Sequence, residues 1–585
     1  MNKIQRFFLL AFIFANTQYY LKSMTITVIN ESDSGPGTLR EAISNVQPNG
    51  TIDFNLLNSN VILLESPLQI HSSKNNIIIN GDNNGNSVFI DGSSIPSGGG
   101  AILSIGAGGV SIENLTIQNG QGGNVTTDSP GGIFIQNSAS CQVSISNCTI
   151  KGCYANGVTQ GGNGGVGAIY VEGGNEHKLE NLIITDCHAD GGINGNGGKA
   201  GIALGNSVNC LTINNCQITG CTANCSGSGI GGTGGIYIVN SNDSTISGVT
   251  ISECEANGGV GGVGGISIVA SINRTKIINC NILGCQANGG NNDSGNGYQG
   301  GVGAVSINSN FVNFTDYMGS IENMHIENCQ ANGGNGASGS SGGIGGVGAI
   351  GLLNVITFIN INECNITGCQ ANGGFADGVQ ANGGTAAILI DNESSSNFVQ
   401  SCNINSNNAG PNGNVVVVSN KSLYNSILSN NIFNNNLNFD EDTFPITLLP
   451  PNNPNSGNHY QLAPTISSAL LCPCGPDGGW QLTVEGKTPI NASGGQNRLL
   501  IQVFFSKPCD YPENVECNKY IGSFKWAPDT EFTSPPFVID DPSDVVTYCY
   551  IVLTATNSNG NNKFADDDDW GDTSMISNPQ CIFVS

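Results

Sequence analysis

Three groups able to move protons, Asp186, His188 and Asp190, stand within one short stretch of the chain. Breaking a glycosidic bond needs proton transfer at defined points, from paired carboxylates or from a tuned cationic base. Galacturonan hydrolases combine clustered aspartates with His and Arg or Lys, and pectate lyases use calcium-binding aspartates with an Arg or Lys that takes the α-proton. The trio falls on a turn where neighbouring repeats carry Asn or Gln, so it reads as a polar turn rather than a catalyst. The other histidines of the repeat region (His71, His177, His325) are scattered, and Arg274 is the one arginine there. No Ser-His-Asp set, phosphate loop or HExxH motif is present. A different chemistry is offered by aromatic side chains. Phe134, Tyr170 and Tyr237 occupy one outward column at repeat spacing, where rings can stack on sugars, although Ala203 interrupts the stripe. The acidic run Asp566, Asp567, Asp568 and Asp569 has oxygen ligands for calcium, with a solvated loop as the competing reading because consecutive side chains point apart. No other cofactor is expected.

These groups are carried by a repeat. Segments such as NCTIKGCYANG from Asn147, NLIITDCHADGG from Asn181, NCQITGCTAN from Asn215 and NCNILGCQANGG from Asn279 align, preceded by NLTIQNGQGG from Asn114. Successive starts from Asn114 to Ser401 lie 33, 34, 34, 33, 31, 44, 40 and 38 residues apart. Each repeat holds three short period-2 strands joined by Asn/Gly turns, and none can bury its apolar face alone. Wound into a coil, the faces meet on a common axis and strands of successive coils run parallel about 4.8 Å apart. The fold class is therefore all-β, a right-handed parallel β-helix, with a smaller β-sandwich after it.

Stacking places identical residues in columns. One is Cys153, Cys187, Cys221, Cys254, Cys285, Cys329 and Cys369, whose spacing suits either disulfides or buried thiols. Another is an asparagine ladder of Asn114, Asn147, Asn181, Asn215, Asn279 and Asn323 at a turn, with amides hydrogen-bonding along the stack. Gly-rich connectors such as GGVGGVGG from Gly258 project from one side of every coil.

Five segments follow. Residues 1–23 read as a signal peptide, with Lys3 and Arg6 ahead of the apolar core Phe7–Ala15, too short to span a bilayer. Residues 24–60 form a cap in which Thr38-Leu39-Arg40-Glu41 opens a short helix over the coil end. Residues 61–438 are the β-helix, 439–462 a Pro/Asn-rich linker and 463–585 the sandwich. Glycine is 84 of 585 residues, and charge sums to −26, which repels nucleic acid and anionic membranes. Twenty-one cysteines fit an oxidising compartment, and the mature chain holds no apolar stretch of transmembrane length.

ITVINESDSGPGTLREAISNVQPNGTIDF (Ile26–Phe54), followed by strands to IENLTIQNG (Ile112–Gly120), resembles the N-terminal LREAI module of large exported bacterial proteins. There the module begins a right-handed parallel β-helix. Short GGAI-like strands (Gly167–Ile169, Gly348–Ile350) resemble those of polymorphic outer membrane proteins, without regular FxxN partners. The tail, with Val503-Phe504-Phe505, Tyr520-Ile521-Gly522-Ser523 and Leu553-Thr554-Ala555-Thr556, resembles the Ig-like module that follows the β-helix in the same exported family. This copy departs by its extra cysteines (Cys472, Cys474, Cys517, Cys549, Cys581) and its acidic run. The resemblance implies a secreted or cell-surface protein of adhesin type whose partner is a glycan or a host or cell-surface protein. The expected function is non-catalytic binding. The alternatives are a polysaccharide lyase or glycoside hydrolase of the β-helix type, and a structural envelope component.

Overall fold

Asparagine is the residue outside glycine that best tolerates the left-handed backbone region. The repeat places it at such a bend in coil after coil. Asn114, Asn147, Asn181, Asn215, Asn279 and Asn323 have φ of 58, 52, 53, 51, 54 and 50°, each between two three- or four-residue strands. In a computed structural model these bends turn the chain into a parallel β-helix. The structure describes residues 24–122, 130–139, 142–157, 160–205, 207–270, 274–308, 319–419, 422, 425–433, 435–438, 446–448, 461, 463–474, 479–490, 499–506, 517–539, 550–556, 573–574 and 580–584. The signal segment, Asp566–Asp569 and most of the 439–462 stretch lie outside them.

Three parallel sheets wrap the axis. The first runs from Thr25–Val28 to Ser426–Leu428, the second from Val61–Leu63 to Asn431–Phe433, and the third from Leu68–Ile70 to Ile446–Leu448. Pairing is in register from coil to coil, for example Ile145 with Leu179 and Ile150 with Ile184. Right-twisted strands make the right-handed winding the favoured one. The inward residues, such as Ile145, Ile150 and Ile213, are fully buried and form one continuous core. Burying each contributes about 1.5–3 kcal/mol. Two boundaries differ from expectation. The first sheet already begins at Thr25, inside the capping segment, because Thr25–Val28 pairs with Thr51–Phe54. Ile446–Leu448, in the expected linker, adds a last strand to the third sheet beside Asn414–Val418.

The cysteine column lies inside, from Cys153 to Cys369, each residue 0% exposed and standing as a thiol. Its sulfurs reach backbone carbonyls, such as Cys187 Sγ to Thr185 O at 3.4 Å. The backbone N–H groups of Cys187, Cys254 and Cys364 in turn hydrogen-bond the sulfurs of Cys221, Cys285 and Cys402 one coil on. Burial pushes the neighbouring Cys148 thiol up to about 12 and those of Cys216 and Cys280 to about 11. Such thiols stay protonated and unreactive.

Beyond Cys369 the same column continues as Asn407 and Asn435. Asn407 Oδ1 accepts the Cys369 N–H at 2.9 Å, and Asn435 Oδ1 accepts the Asn407 N–H at 3.0 Å. The turn ladder is paired rather than continuous. Asn114 donates to Asn80 at 2.9 Å, Asn181 to Asn147 at 3.2 Å and Asn323 to Asn279 at 2.7 Å, while Gly248 follows Asn215 at the equivalent bend.

Both ends of the core are plugged. Helix α1 (Leu39–Asn45) buries Leu39, Ala42 and Ile43 over the first coil. Thr38 Oγ1 accepts from the Glu41 N–H, and Glu41 reaches back to the Gly37 N–H at 2.6 Å, one residue earlier than in the usual capping box. Arg40 is structural: it donates to the carbonyls of Pro67 (2.8 Å) and Ser66 (2.7 Å) and pairs with Asp33 at 2.5 Å.

At the other end two mainly antiparallel sheets face each other. Thr465–Cys474 and Gly479–Lys487 belong to one, Leu499–Ser506, Lys519–Trp526 and Tyr550–Thr556 to the other. Leu471, Leu482, Ile501, Val503 and Leu553 share their core. The second of these sheets closes the rod. Phe504, Cys517 and Val552 join the β-helix core, Cys517 bridges Ile432, and the Tyr520 N–H donates to Asn431 Oδ1 at 2.7 Å.

One histidine couples the coil to pH. His177 is fully buried, accepts the Val143 N–H at Nδ1 (3.1 Å) and donates from Nε2 to Gly173 O (3.0 Å). Burial holds its pKa below the ordinary 6.5, outweighing the Gly173 bond. The unfolded chain therefore binds the proton first. This contribution is complete above pH about 6.5 and is lost as the pH falls through the lower folded value. Urea midpoints measured against pH should show a wild-type acid loss that His177→Asn lacks; parallel curves would refute the coupling.

Candidate functional site

On the third sheet the outward side chains form the floor of a groove. Register places Phe134, Tyr170, Ala203, Tyr237, Ser267, Ser306, Gly351 and Leu389 on successive coils. One wall is the column Val166, Lys199, Thr233, Val263, Val302, Val347 and Thr385, where the Gly-rich connectors rejoin the sheet. Asn308, Leu353 and Asp391 border the other side. The space between is about 610 Å³, a ligand-sized volume. A second space of about 210 Å³ adjoins it at Lys199 and Tyr237 and reaches back to Tyr170.

Glycine makes the wall thin. Gly197, Gly231, Gly261, Gly300 and Gly345 would each place a Cβ within 1.8–2.0 Å of an alanine carbonyl on the next coil. The connectors therefore stack as bare backbone, and peptide groups of these glycines share the groove lining with the side chains of the wall column.

Of the three aromatic residues marked by the sequence, Tyr237 lines the groove and Tyr170 the smaller space beside it, while Phe134 lies one coil beyond Tyr170. Phe134 and Tyr170 stack with centroids 5.5 Å apart and planes 1° from parallel. Lys199 Nζ lies 5.2 Å over the Tyr237 ring, a cation–π distance. Lys199 was not singled out by the sequence. Its signal is a lysine in a column otherwise of Val and Thr, legible once the connector lengths are known. Asp391, at the far end, accepts from the Ser419 hydroxyl at 2.5 Å. Lys199 and Asp391 are the charged residues lining the larger space. They are five coils apart, about 24 Å, far beyond the ~5–9.5 Å of glycosidase pairs.

The Asp186, His188 and Asp190 trio does not assemble. Asp186 is exposed at a left-handed bend (φ 52°). His188 and Asp190 meet through Thr222, a repeat away. His188 Nδ1 is 2.7 Å from Thr222 Oγ1, which donates to Asp190 at 2.9 Å. Asp190 also accepts the Asn224 N–H at 2.7 Å, as Asn156 accepts that of Asp190 and Asn224 that of Asn257. It is a rung in a turn ladder otherwise made of asparagine. Burial raises its pKa against the opposing hydrogen bonds from Asn224 and Thr222. The His188 ring stacks on Tyr154 at 5.2 Å. Among the described residues no His/Cys/Asp/Glu cluster is arranged to hold a metal, and the acidic run considered for calcium lies outside them. No described helix is long and apolar enough to cross a membrane.

No protein-family model matches the chain, and no curated protein matches it. Solved structures do. A rhamnogalacturonan lyase aligns with TM-score 0.31 and 12% identity over 72% of this chain and 90% of its own. An endo-xylogalacturonan hydrolase from Aspergillus tubingensis aligns with TM-score 0.27 and 13% identity over 70% and 92%. The tailspike protein gp49 from Acinetobacter baumannii bacteriophage Fri1, a capsular polysaccharide depolymerase, aligns with TM-score 0.23 and 9% identity over 91% and 77%. Scores this low say nothing of activity, which has to be read from the groove.

Proposed function

We propose that the groove on the third sheet binds an extended polysaccharide without cleaving it, and that the chain is an exported surface protein of the LREAI type. One observation carries this reading: the Tyr237 ring and a row of hydroxyls line a groove running over several coils whose two charged groups are about 24 Å apart. Rings offer faces to sugar C–H groups, and Ser267, Ser306 and Thr233 offer hydroxyls and backbone to sugar hydroxyls. Binding on a glycan array, followed by titration of the captured glycan, tests it. Tyr237→Ala should weaken affinity about ten- to a hundredfold. An array with no captured glycan, or an unaffected Tyr237→Ala variant, would overturn the reading. Cell fractionation tests export: the chain belongs in the medium or on the cell surface, and a cytoplasmic pool alone would reject this part.

Lys199 supports a second reading. A lysine flanked by two tyrosines could serve as the base that takes the proton α to a uronate carboxyl in eliminative cleavage. Release of unsaturated products from acidic polysaccharides, abolished in Lys199→Gln, would establish it over binding alone; incubation without product would reject it.

A further inference from the structure

We infer that the groove selects polysaccharides whose sugars carry methyl groups, as a 6-deoxy carbon or an O-acetyl ester, on the edge turned toward the Gly-rich wall. The inference rests on the groove reading and deepens it by naming the kind of glycan.

The two sides of the groove differ in chemistry. Its floor carries the Ser267 and Ser306 hydroxyls beside Tyr237. The wall beside Ser267 is aliphatic. At its rim Ile230 and Val260 bridge one another on neighbouring coils, 51% and 37% exposed. Val263 follows where the connector rejoins the sheet, and Leu353 borders the same space across the floor.

The backbone between these side chains has no N–H to give a sugar. The Gly231 and Gly261 N–H groups donate to Val260 O at 2.8 Å and Gln299 O at 3.0 Å. Those of Gly232 and Gly262 donate to Ala223 O and Ala256 O, both at 2.7 Å, and that of Val263 to Gly232 O at 2.9 Å. A sugar hydroxyl pressed against this stretch gives up water and meets aliphatic carbon. A methyl in its place takes apolar surface out of water, and so does the wall it covers. The balance favours the methyl-bearing sugar about four- to tenfold per substituent.

The coil does not demand an aliphatic wall. The rim position ahead of each Gly-Gly pair is Asn196, Ile230, Val260, Gln299, Ile344 and Asn382 on successive coils, so the fold accepts polar residues there. The wall column likewise holds threonine at 233 and 385. Isoleucine and valine at 230, 260 and 263 therefore set what the surface binds.

The same columns supply the test. Val263→Thr exchanges one methyl for a hydroxyl of like shape, and Ile230→Asn with Val260→Gln installs residues that other coils already carry at the rim. The triple variant should fold, checked by circular dichroism and thermal unfolding, and Val263→Thr alone serves should it not. The full chain is titrated with glycosides paired to differ in one substituent, an L-fucoside against an L-galactoside and an L-rhamnoside against an L-mannoside. An O-acetylated polysaccharide before and after mild alkali is the ester arm. Wild type should prefer the methyl-bearing member of at least one pair about four- to tenfold, and the arm concerned identifies the methyl that is read. The triple variant should lose that preference and keep its affinity for the unsubstituted member. Equal or reversed affinities within every pair, or a preference that survives the variants, would overturn the selectivity and leave glycan binding standing. A valine-rich peptide bound ahead of every glycan would also overturn it. Capture of no glycan at all would overturn the groove reading, and the selectivity with it.

Discussion

Alanine in place of Gly231 is expected to destabilise the protein by about 3 kcal/mol, the upper range for forcing atoms into packed space. A Cβ there stands 1.8 Å from the Ala256 carbonyl oxygen, and that oxygen is pinned by the Gly262 N–H at 2.7 Å. Neither partner is a side chain that could rotate away. The same contact recurs between Gly197 and Ala223 and between Gly261 and Ala287, so strain at one coil is passed to its neighbours. Gly351 is the control. Its nearest neighbour to an added Cβ is 3.5 Å away, and Gly351→Ala should change stability by less than about 0.5 kcal/mol. Urea unfolding of both variants decides the matter. Equal midpoints would mean that the connectors are not stacked backbone.

Asn407→Leu should cost as much or more. The side chain is fully buried, accepts the Cys369 N–H, and donates to Ile366 O at 3.2 Å and Asn435 Oδ1 at 3.0 Å. Leucine has similar bulk but leaves the Cys369 N–H without its acceptor and removes the donor to Ile366 O, at about 1–3 kcal/mol for each group that stays buried and unpaired, while Asn435 Oδ1 keeps the residue 407 backbone N–H. Asn407→Cys should recover part of that loss, because a sulfur at this position takes the same N–H in earlier coils. If the cysteine variant were no more stable than the leucine one, the equivalence of the two residue types would be wrong.

That equivalence shows what could be read from the sequence alone. The coil, its three faces and the inward isoleucines followed from period-2 strands at regular intervals, since each face has one partner surface available. The cysteine column was legible for the same reason up to Cys369. Its continuation in asparagine was not: an Asn in so Asn-rich a chain looks like another turn residue until its neighbours are seen to be buried. The site was half legible. Phe134, Tyr170 and Tyr237 were found from alternation, and Ala203 read as a defect in their stripe. Thr222 was missed as the link between His188 and Asp190 because contacts one coil apart are about 34 residues distant in the chain.

The plugs at the two ends have a consequence for how such a molecule can change. With α1 sealing one mouth and the sheet carrying Phe504 and Val552 sealing the other, neither mouth is left to recruit a second copy in tandem. Length is then written into the gene. A duplication that adds one whole coil inserts a self-matching rung, moves one plug outward by a single rung's height and disturbs neither closure. Deletion of a whole coil shortens the rod in the same quantum, so reach can be retuned step by step while the folding problem stays unchanged.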